Sequence, residues 1–283
     1  PKTPTNLGVK PQGERGSAAV EPVVIGSQVI FAQSGGSTIR DLGYSFESDG
    51  YSGTDLTILA GHLFKGYQVL DMDYQQEPDS IVWVVRSDGV LIGLTYLKEH
   101  DVWAWHHHVT AGSFESVAVI PRTDGRSEVW LSVERDGKRM IERIRERLPD
   151  KKVDEAYFVD CGLTYRGKEA TRLIGFDHLA GKEVAILADG AVMPRQVVRE
   201  ITIGDITGWG IELVYPAKIV HVGLPYESDI ETMPIEIAGA NTLQGSRKKI
   251  PRVILRVENS IGACVSIDGK GETEIKWRDQ GLK

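Results

Sequence analysis

Cysteine is scarce in this 283-residue chain, which has only Cys161 and Cys264. Two cysteines are too few for a disulfide framework and form no C-x-x-C metal spacing, so two reduced, largely buried thiols are expected. Long apolar runs are missing as well. None approaches the roughly 18 residues that cross a bilayer, and no basic stretch followed by an apolar one opens the chain, so a soluble protein with no membrane partner is expected. The sequence contains no G-x-S-x-G elbow, no G-x-x-x-x-G-K-[ST] loop and no H-E-x-x-H pair. Gly269-Lys270-Gly271 is too short to specify phosphate binding. Catalysis therefore has no anchor, and no catalytic residue, cofactor or metal is expected. Basic charge is also in deficit: the net charge is -7, and most of the acidic excess lies before residue 150. A surface of that sign repels phosphate backbones and disfavours ordinary tight nucleic-acid binding.

What is present argues for a folded, β-rich protein. A hydrophobic content of 41% with mixed charge supports one large or two ordinary domains rather than a disordered segment. The opening Pro1-Lys2-Thr3-Pro4-Thr5-Asn6 reads as a linker, and with Pro1 in place of Met the chain is expected to be a piece of something longer. Short alternating or β-branched runs recur at Val23 to Ile25, Gln28 to Phe31, Ile81 to Val85, Ser116 to Ile120 and Glu128 to Val133. These predict strands. Gly35-Gly36, Ser87-Asp88-Gly89 and Asp136-Gly137 sit beside them and supply the positive φ that tight hairpins demand.

Aligning the hairpins exposes a degenerate repeat. Phe31 precedes Gly35-Gly36 and Ile39, Trp83 precedes Asp88-Gly89 and Leu91, and Trp130 precedes Asp136-Gly137 and Met140. A recurrence of about 50 residues with strand content throughout is the pattern of propeller blades. One blade cannot bury both faces alone, so blades pack sideways and an aromatic from each fills the layer between them. Three blades cannot close a ring.

Two stretches depart from this pattern. Ser52 to Phe64 has a polar N-cap candidate and then apolar residues at helical spacing, predicting a short helix. Asp136 to Leu148 fits a strand pair better than a charged helix. Pro149-Asp150-Lys151-Lys152 marks a boundary. After it, Glu183 to Leu187 and Ala191 to Val192 flank Asp189-Gly190, while Ile211 to Val214 and Lys218 to Val222 flank Tyr215-Pro216. This reads as a small β-sandwich or β-barrel. Strands are also expected at Arg252 to Val257 and Ala263 to Ile267, joined through Asn259 to Gly262. The expected fold is all-β with one or two short helices. Residues 1–20 are a linker, 21–150 a partial β-propeller repeat domain, 151–247 a small sandwich or barrel, and 248–283 strands that rejoin the repeat domain.

Several clusters invite a chemical reading. His106, His107 and His108 alternate faces on a strand and cannot all reach one ion, so a packed or solvated run is favoured. Asp71 and Asp73 share one strand face with Glu77 and Asp79 nearby, but Gln76 stands where a calcium loop requires Gly. Used as a glycosidase pair, they would need a further carboxylate across a cleft. Arg247, Lys248 and Lys249 are a candidate contact for a phosphate or an acidic partner, against the commoner meaning of a solvated loop. Trp83, Trp103, Trp105 and Trp130 are candidates for stacking a sugar or base, although Trp at regular repeat positions is more often core, and Trp103 and Trp105 share one strand face. The acidic loop Glu227 to Glu231 is a weaker candidate for a neighbour contact.

One resemblance spans the chain from about residue 20. It rests on Gly50-Tyr51, Asp55-Leu56-Thr57, His62-Leu63-Phe64 and the run Gln75-Gln76-Glu77-Pro78-Asp79-Ser80-Ile81-Val82-Trp83, in that order. It continues through Asp88-Gly89, Leu94-Thr95-Tyr96, Trp103 to His106, Gly112, Asp160-Cys161-Gly162-Leu163 and His178-Leu179-Ala180-Gly181-Lys182. Asp189-Gly190 and Val222-Gly223-Leu224-Pro225-Tyr226 extend it. In these motifs the sequence resembles the tail nozzle, or tail tubular protein B, family of short-tailed bacteriophages and prophages. The resemblance implies a propeller-bearing structural protein of the virion tail, made in the host cytoplasm. It implies assembly with copies of itself in a ring, a hexamer, that meets the adaptor and portal proteins and passes DNA without binding it specifically. No catalytic residues come with it. The competing expectation is a carbohydrate-binding or carbohydrate-cleaving propeller, motivated by Trp103, Trp105 and the Asp71 and Asp73 pair.

Overall fold

A computed structural model of the chain describes residues 15–47, 49–233, 245–247, 249–257, 263–267 and 269–275. The chain divides into two compact units between Glu227 and Ser228. The fold is all-β, built of several antiparallel sheets, none of them closed.

Three meanders follow one another in the first unit. The first sheet contains β1 (Val23–Ile25), β2 (Gln28–Ala32), β3 (Ile39–Ser45) and β4 (Gly50–Ser52) in chain order. The second contains β5 (Val69–Gln75), β6 (Ile81–Arg86), β7 (Leu91–Leu97) and β8 (Val102–His108), again in order. The third contains β9 (Ser113–Pro121), β10 (Ser127–Arg135) and β11 (Lys138–Arg143). Asp136-Gly137, which joins β10 to β11, has positive φ at both residues, as a two-residue hairpin turn compatible with strand twist requires.

The second sheet lies between the other two. Alternation along β6 sends Val82 and Val84 into a core with Ile30, Ala32 and Ile39 of the first sheet. It sends Ile81, Trp83 and Val85 into a core with Phe114, Val117, Val129 and Leu131 of the third. Every residue of β6 is consequently buried. The mutual contacts run mainly through first strands, β1 against β5 and β5 against β9.

The repeated aromatics take different places in this stack. Trp83 fills the layer between the second and third sheets, as an inter-sheet aromatic should. Trp130 points to the outward side of the third sheet. Phe31 lies on the face of β2 opposite Ile30 and Ala32, so it is turned away from the second sheet.

A linker with two short 3₁₀ turns, Pro149–Lys151 and Val153–Glu155, leads to the fourth sheet. That sheet contains β12 (Asp160–Ile174), β13 (Glu183–Ala188), β14 (Ala191–Val197), β15 (Arg199–Ile203) and β16 (Ile206–Leu224). Its strand order is β12-β16-β13-β14, with β15 paired to the start of β16. One apolar core, including Val184, Ile186, Phe176, Leu179, Ile211 and Val220, holds it together. The Gln196 amide bonds both the N–H and the carbonyl of Glu212, at 3.0 Å each, tying β14 across to β16. The sheet is open and does not form a closed barrel. In the second unit, β17 (Cys264–Ile267) and β18 (Lys270–Glu274) form a hairpin.

Three local expectations are corrected. Tyr215-Pro216 is not a turn: β16 runs through it, and the missing proline N–H falls opposite a register shift between β12 residues Arg166 and Arg172. The helix predicted over Ser52 to Phe64 shrinks to α1 (Gly61–Phe64). Asp55 causes this, because its carboxylate accepts from the Thr57 N–H at 2.8 Å and hydroxyl at 2.6 Å and so offers the backbone a turn in place of a first helical turn. Residues 252–257 form no strand, and Asn259 to Gly262 lie outside the described residues.

Arg135, at the end of β10, ties the third sheet to the fourth. It is 3% exposed and grips Glu142 with two bonds of 2.6 and 2.8 Å, Asp160 at 3.2 Å and the Ala111 carbonyl at 3.1 Å. Burial works against the guanidinium charge, but Glu142 and Asp160 more than offset it and raise its pKa. Arg135→Met removes the shared cation and leaves two carboxylates facing each other. A loss of about 3 kcal/mol is expected in urea denaturation, whereas Arg139→Met, at an exposed ion pair screened by solvent, should leave the urea midpoint almost unchanged.

Candidate functional site

The sequence-predicted aspartates, histidines and tryptophans lie on the second sheet, where strand alternation assigns them to opposite faces. Asp71 and Asp73 on β5 pair with Val85 and Trp83, so they share the face turned to the third sheet. There each carboxylate spans two strands. Asp71 accepts from the Met72 N–H at 3.0 Å and the Val117 N–H at 3.0 Å, while Asp73 accepts from Tyr74 at 2.7 Å and Val119 at 2.6 Å. The two side chains thus act as rungs between β5 and β9, replacing backbone carbonyls that the spacing of stacked sheets puts out of reach. Gln75 adds a third link, accepting from the Trp83 indole at 3.0 Å and donating to the Ser127 carbonyl at 3.2 Å. With these oxygens engaged by backbone donors, the pair is a clasp between sheets.

The histidine run splits as alternation requires. His106 and His108 stand on the third-sheet face, with ring centroids 5.0 Å apart and 5.7 and 5.4 Å from Trp83. His107 lies on the other face. Gly93 makes room for this packing, because a Cβ there would fall 2.2 Å from His106 Nε2. The His108 Nε2 is buried without a hydrogen-bond partner. Burial, aided by His106, Arg147 and His107, lowers the His108 pKa to about 4, and burial followed by Arg147 lowers that of His106.

Trp103 and Trp105 face the first sheet. Trp105 is committed to packing: its indole N–H donates to the Leu56 carbonyl at 2.8 Å and its ring meets Phe64 edge-on at 4.9 Å. Trp103 is 41% exposed. Arg247 and Lys249 are exposed in the second unit, and Lys248 lies outside the described residues. Glu227 to Glu231 are exposed throughout.

A further polar cluster sits under the linker and was not evident in the sequence. His221 is 1% exposed. Its Nε2–H donates to the Asp154 carbonyl at 3.0 Å, which leaves Nδ1 to accept from the Thr164 hydroxyl at 2.8 Å. The Thr164 oxygen accepts in turn from Arg145 at 2.8 Å, and Glu155 pairs with Arg145 and Arg166. A hydroxyl beside an imidazole resembles a nucleophile and its base. Here the imidazole is oriented by a backbone carbonyl rather than a carboxylate, its pKa is lowered by burial, and an arginine occupies the hydroxyl lone pair. The cluster anchors the linker to β16. The expected burial of both thiols holds only in part: Cys161 is half-buried, with burial pushing its thiol up to about 11, and Cys264 is exposed.

Among the described residues, no group of three or more His, Cys, Asp or Glu side chains is placed to hold a metal ion, and no helix is long and apolar enough to cross a membrane. Neither protein-family models nor curated proteins match this sequence.

Two outcomes are expected. Asp73→Ala removes an acceptor shared by two backbone donors and should lose about 2 kcal/mol in chemical denaturation, and Asp73→Asn, which keeps one carbonyl oxygen, should lose less. Because His108 stays neutral in the fold to about pH 4 but titrates near 6.5 when unfolded, its contribution is complete above pH 6.5 and disappears as pH falls through 4. Thermal melting should show that decline between pH 6.5 and 4, and His108→Phe should flatten it.

Proposed function

We propose that this protein is a structural component of a short-tailed phage tail, part of a ring-shaped nozzle through which DNA leaves the virion, and that it carries out no catalysis. The observation that carries the reading is the stack of three antiparallel meanders packed face to face through their first strands. Consecutive sheets joined this way are the construction unit of a β-propeller, and the resemblance to nozzle proteins implies such a domain. The small open sheet over 160–224 takes the place of the sandwich or barrel domain. Its Asp160 and Lys182 links to Arg135 and Asp136 of the stack give a joined body suited to bearing load. Self-association in a ring, hexameric in the family resembled, brings the protein to the adaptor and portal. The net charge of -7 fits a conduit, since carboxylates along a bore repel passing DNA.

The polar clusters favour this reading over an enzyme. Asp71, Asp73 and the Thr164–His221 pair are each spent on holding elements together. The carbohydrate reading draws only on Trp103, because Trp105 is fixed by Leu56 and Phe64.

The test is the protein's mass in solution, alone and mixed with the portal and adaptor proteins of its genome, by light scattering and negative-stain imaging. Rings or co-sedimentation are expected. A monomer that ignores both partners and binds a glycan, with binding lost in Trp103→Ala, overturns the reading.

A further inference from the structure

The linker from Pro149 to Val159 is seated closely on the fourth sheet. Gly162 of β12 and Gly223 of β16 open a trough for it: a Cβ on the first would meet the Tyr157 hydroxyl at 2.5 Å, and one on the second would meet Val159 at 2.8 Å. Ala156, just before them, is buried. At the linker's start Asp150 and Lys151 stand at φ of 49° and 57°, a left-handed conformation that residues other than glycine hold only when their surroundings enforce it.

The central fastening is His221 of β16. Its Nε2–H donates to the Asp154 carbonyl of the linker, its Nδ1 accepts from the Thr164 hydroxyl, and the Tyr157 ring meets it edge-on at 5.4 Å. Both nitrogens are satisfied by a neutral ring in one tautomer. The charged groups facing it are Arg145, Arg166 and Glu155, and Glu155 pairs with both arginines. A proton on Nδ1 would turn that acceptor into a donor aimed at an oxygen to which Arg145 already donates, and would set three cations around one carboxylate. At 1% exposure the charged ring could not be hydrated unless the linker moved.

The sheets themselves are joined by different chemistry. Asp160 accepts from Thr110 at 2.6 Å and from Arg135 at 3.2 Å, and Lys182 donates to Asp136 at 2.9 Å. Bonds to carboxylates persist until the pH nears the carboxylate range, at about 4.

We infer that the linker is a latch released by mild acid: protonation of His221 lifts Pro149 to Val159 off β12 and β16, while the third and fourth sheets stay tethered through Asp160 and Asp136. The inference goes beyond the nozzle reading and does not depend on it. Burial leads in lowering the ring's pKa, with the Asp154 carbonyl and Glu155 opposing and Arg145 and Arg166 adding to it. The latch is therefore fully closed above the ordinary histidine value of 6.5 and opens as pH falls below it. At lower pH, His106 and His108, whose charged neighbours are each other, His107 and Arg147, add repulsion at the segment leading into the linker.

The amides of Lys152, Glu155, Ala156 and Tyr157 are bonded to carbonyls of residues 147–153, so hydrogen exchange reports on the closed linker. The test follows exchange by mass spectrometry on the full chain at about pH 7.5 and about pH 5, with exchange times scaled to the intrinsic rate. Residues 149–159 should lose protection by about tenfold or more at the lower pH, while β6 and β10 keep theirs. His221→Gln, whose amide keeps a donor for Asp154 and takes up no proton, should abolish the difference, and His108→Phe should retain it. In the unmodified chain, NMR titration of the His221 ring should track the opening of the linker.

Equal protection of the linker at both pH values would overturn the inference. So would a loss spread evenly over β6 and β10, which is ordinary acid unfolding. A His221→Gln chain that still opens only in acid would overturn it and assign the release to Glu155. If His221→Gln is open even at neutral pH, the titration decides: a ring that takes up its proton as the linker opens supports the latch, and one that stays neutral overturns it.

Discussion

Strand β6 must be apolar on both faces, and the rest of the first unit is arranged around that requirement. A half-buried strand can alternate apolar with polar residues, but Ile81 to Val85 offers water neither side, so the second sheet is stable only with a sheet on each face. The first and third sheets supply these covers. Each brings its own outward face, less apolar than β6 yet still carrying Val24 on one side and Ile120 and Ile141 on the other. A central sheet that needs two neighbours passes a weaker version of the same need outward. For this reason such sheets occur in series.

Polar groups fix the positions that apolar burial leaves free. Apolar contact is non-directional and would allow the sheets to slide over one another. The carboxylates of Asp71 and Asp73, the Gln75 amide and the Arg135 guanidinium each have one geometry in which their partners are satisfied, and they sit at the joints between sheets. The hydroxyl, imidazole and guanidinium around His221 do the same for the linker. A reader searching for chemistry meets these groups first, because titratable residues under cover are what active sites also contain. Here their partners are backbone groups and side chains of the elements they join.

Much of this architecture could be read in the sequence. Alternation in the runs around Trp83 and Trp130 locates the strands, the Asp-Gly pairs locate hairpins, and strand parity alone divides His107 from His106 and His108. Local competition was harder to see. Asp55 captures Thr57 and shortens a helix that spacing favoured, and Pro216 stays within a strand because it falls in an irregular stretch of β16 where pairing with β12 is interrupted between Glu212 and Ala217, so its missing donor is harmless. Long-range partners were not legible at all: the donors to Asp71 and Asp73 lie 46 residues further along the chain. Trp105 was readable as an aromatic on a face, but its tie to Leu56 depends on where a distant loop lands.

The carboxylate rungs also have a mechanical meaning. Two parallel bonds from adjacent same-face positions of β5 to adjacent same-face positions of β9 would be loaded together by a pull along the strands, whereas a pull across the edge would open them one after the other. The seam between the second and third sheets is therefore stiff in shear and weak in peeling. A sliding shift would have to move β9 by two residues before the carboxylates met N–H groups on the same side again, so the seam has discrete positions and no continuous slip.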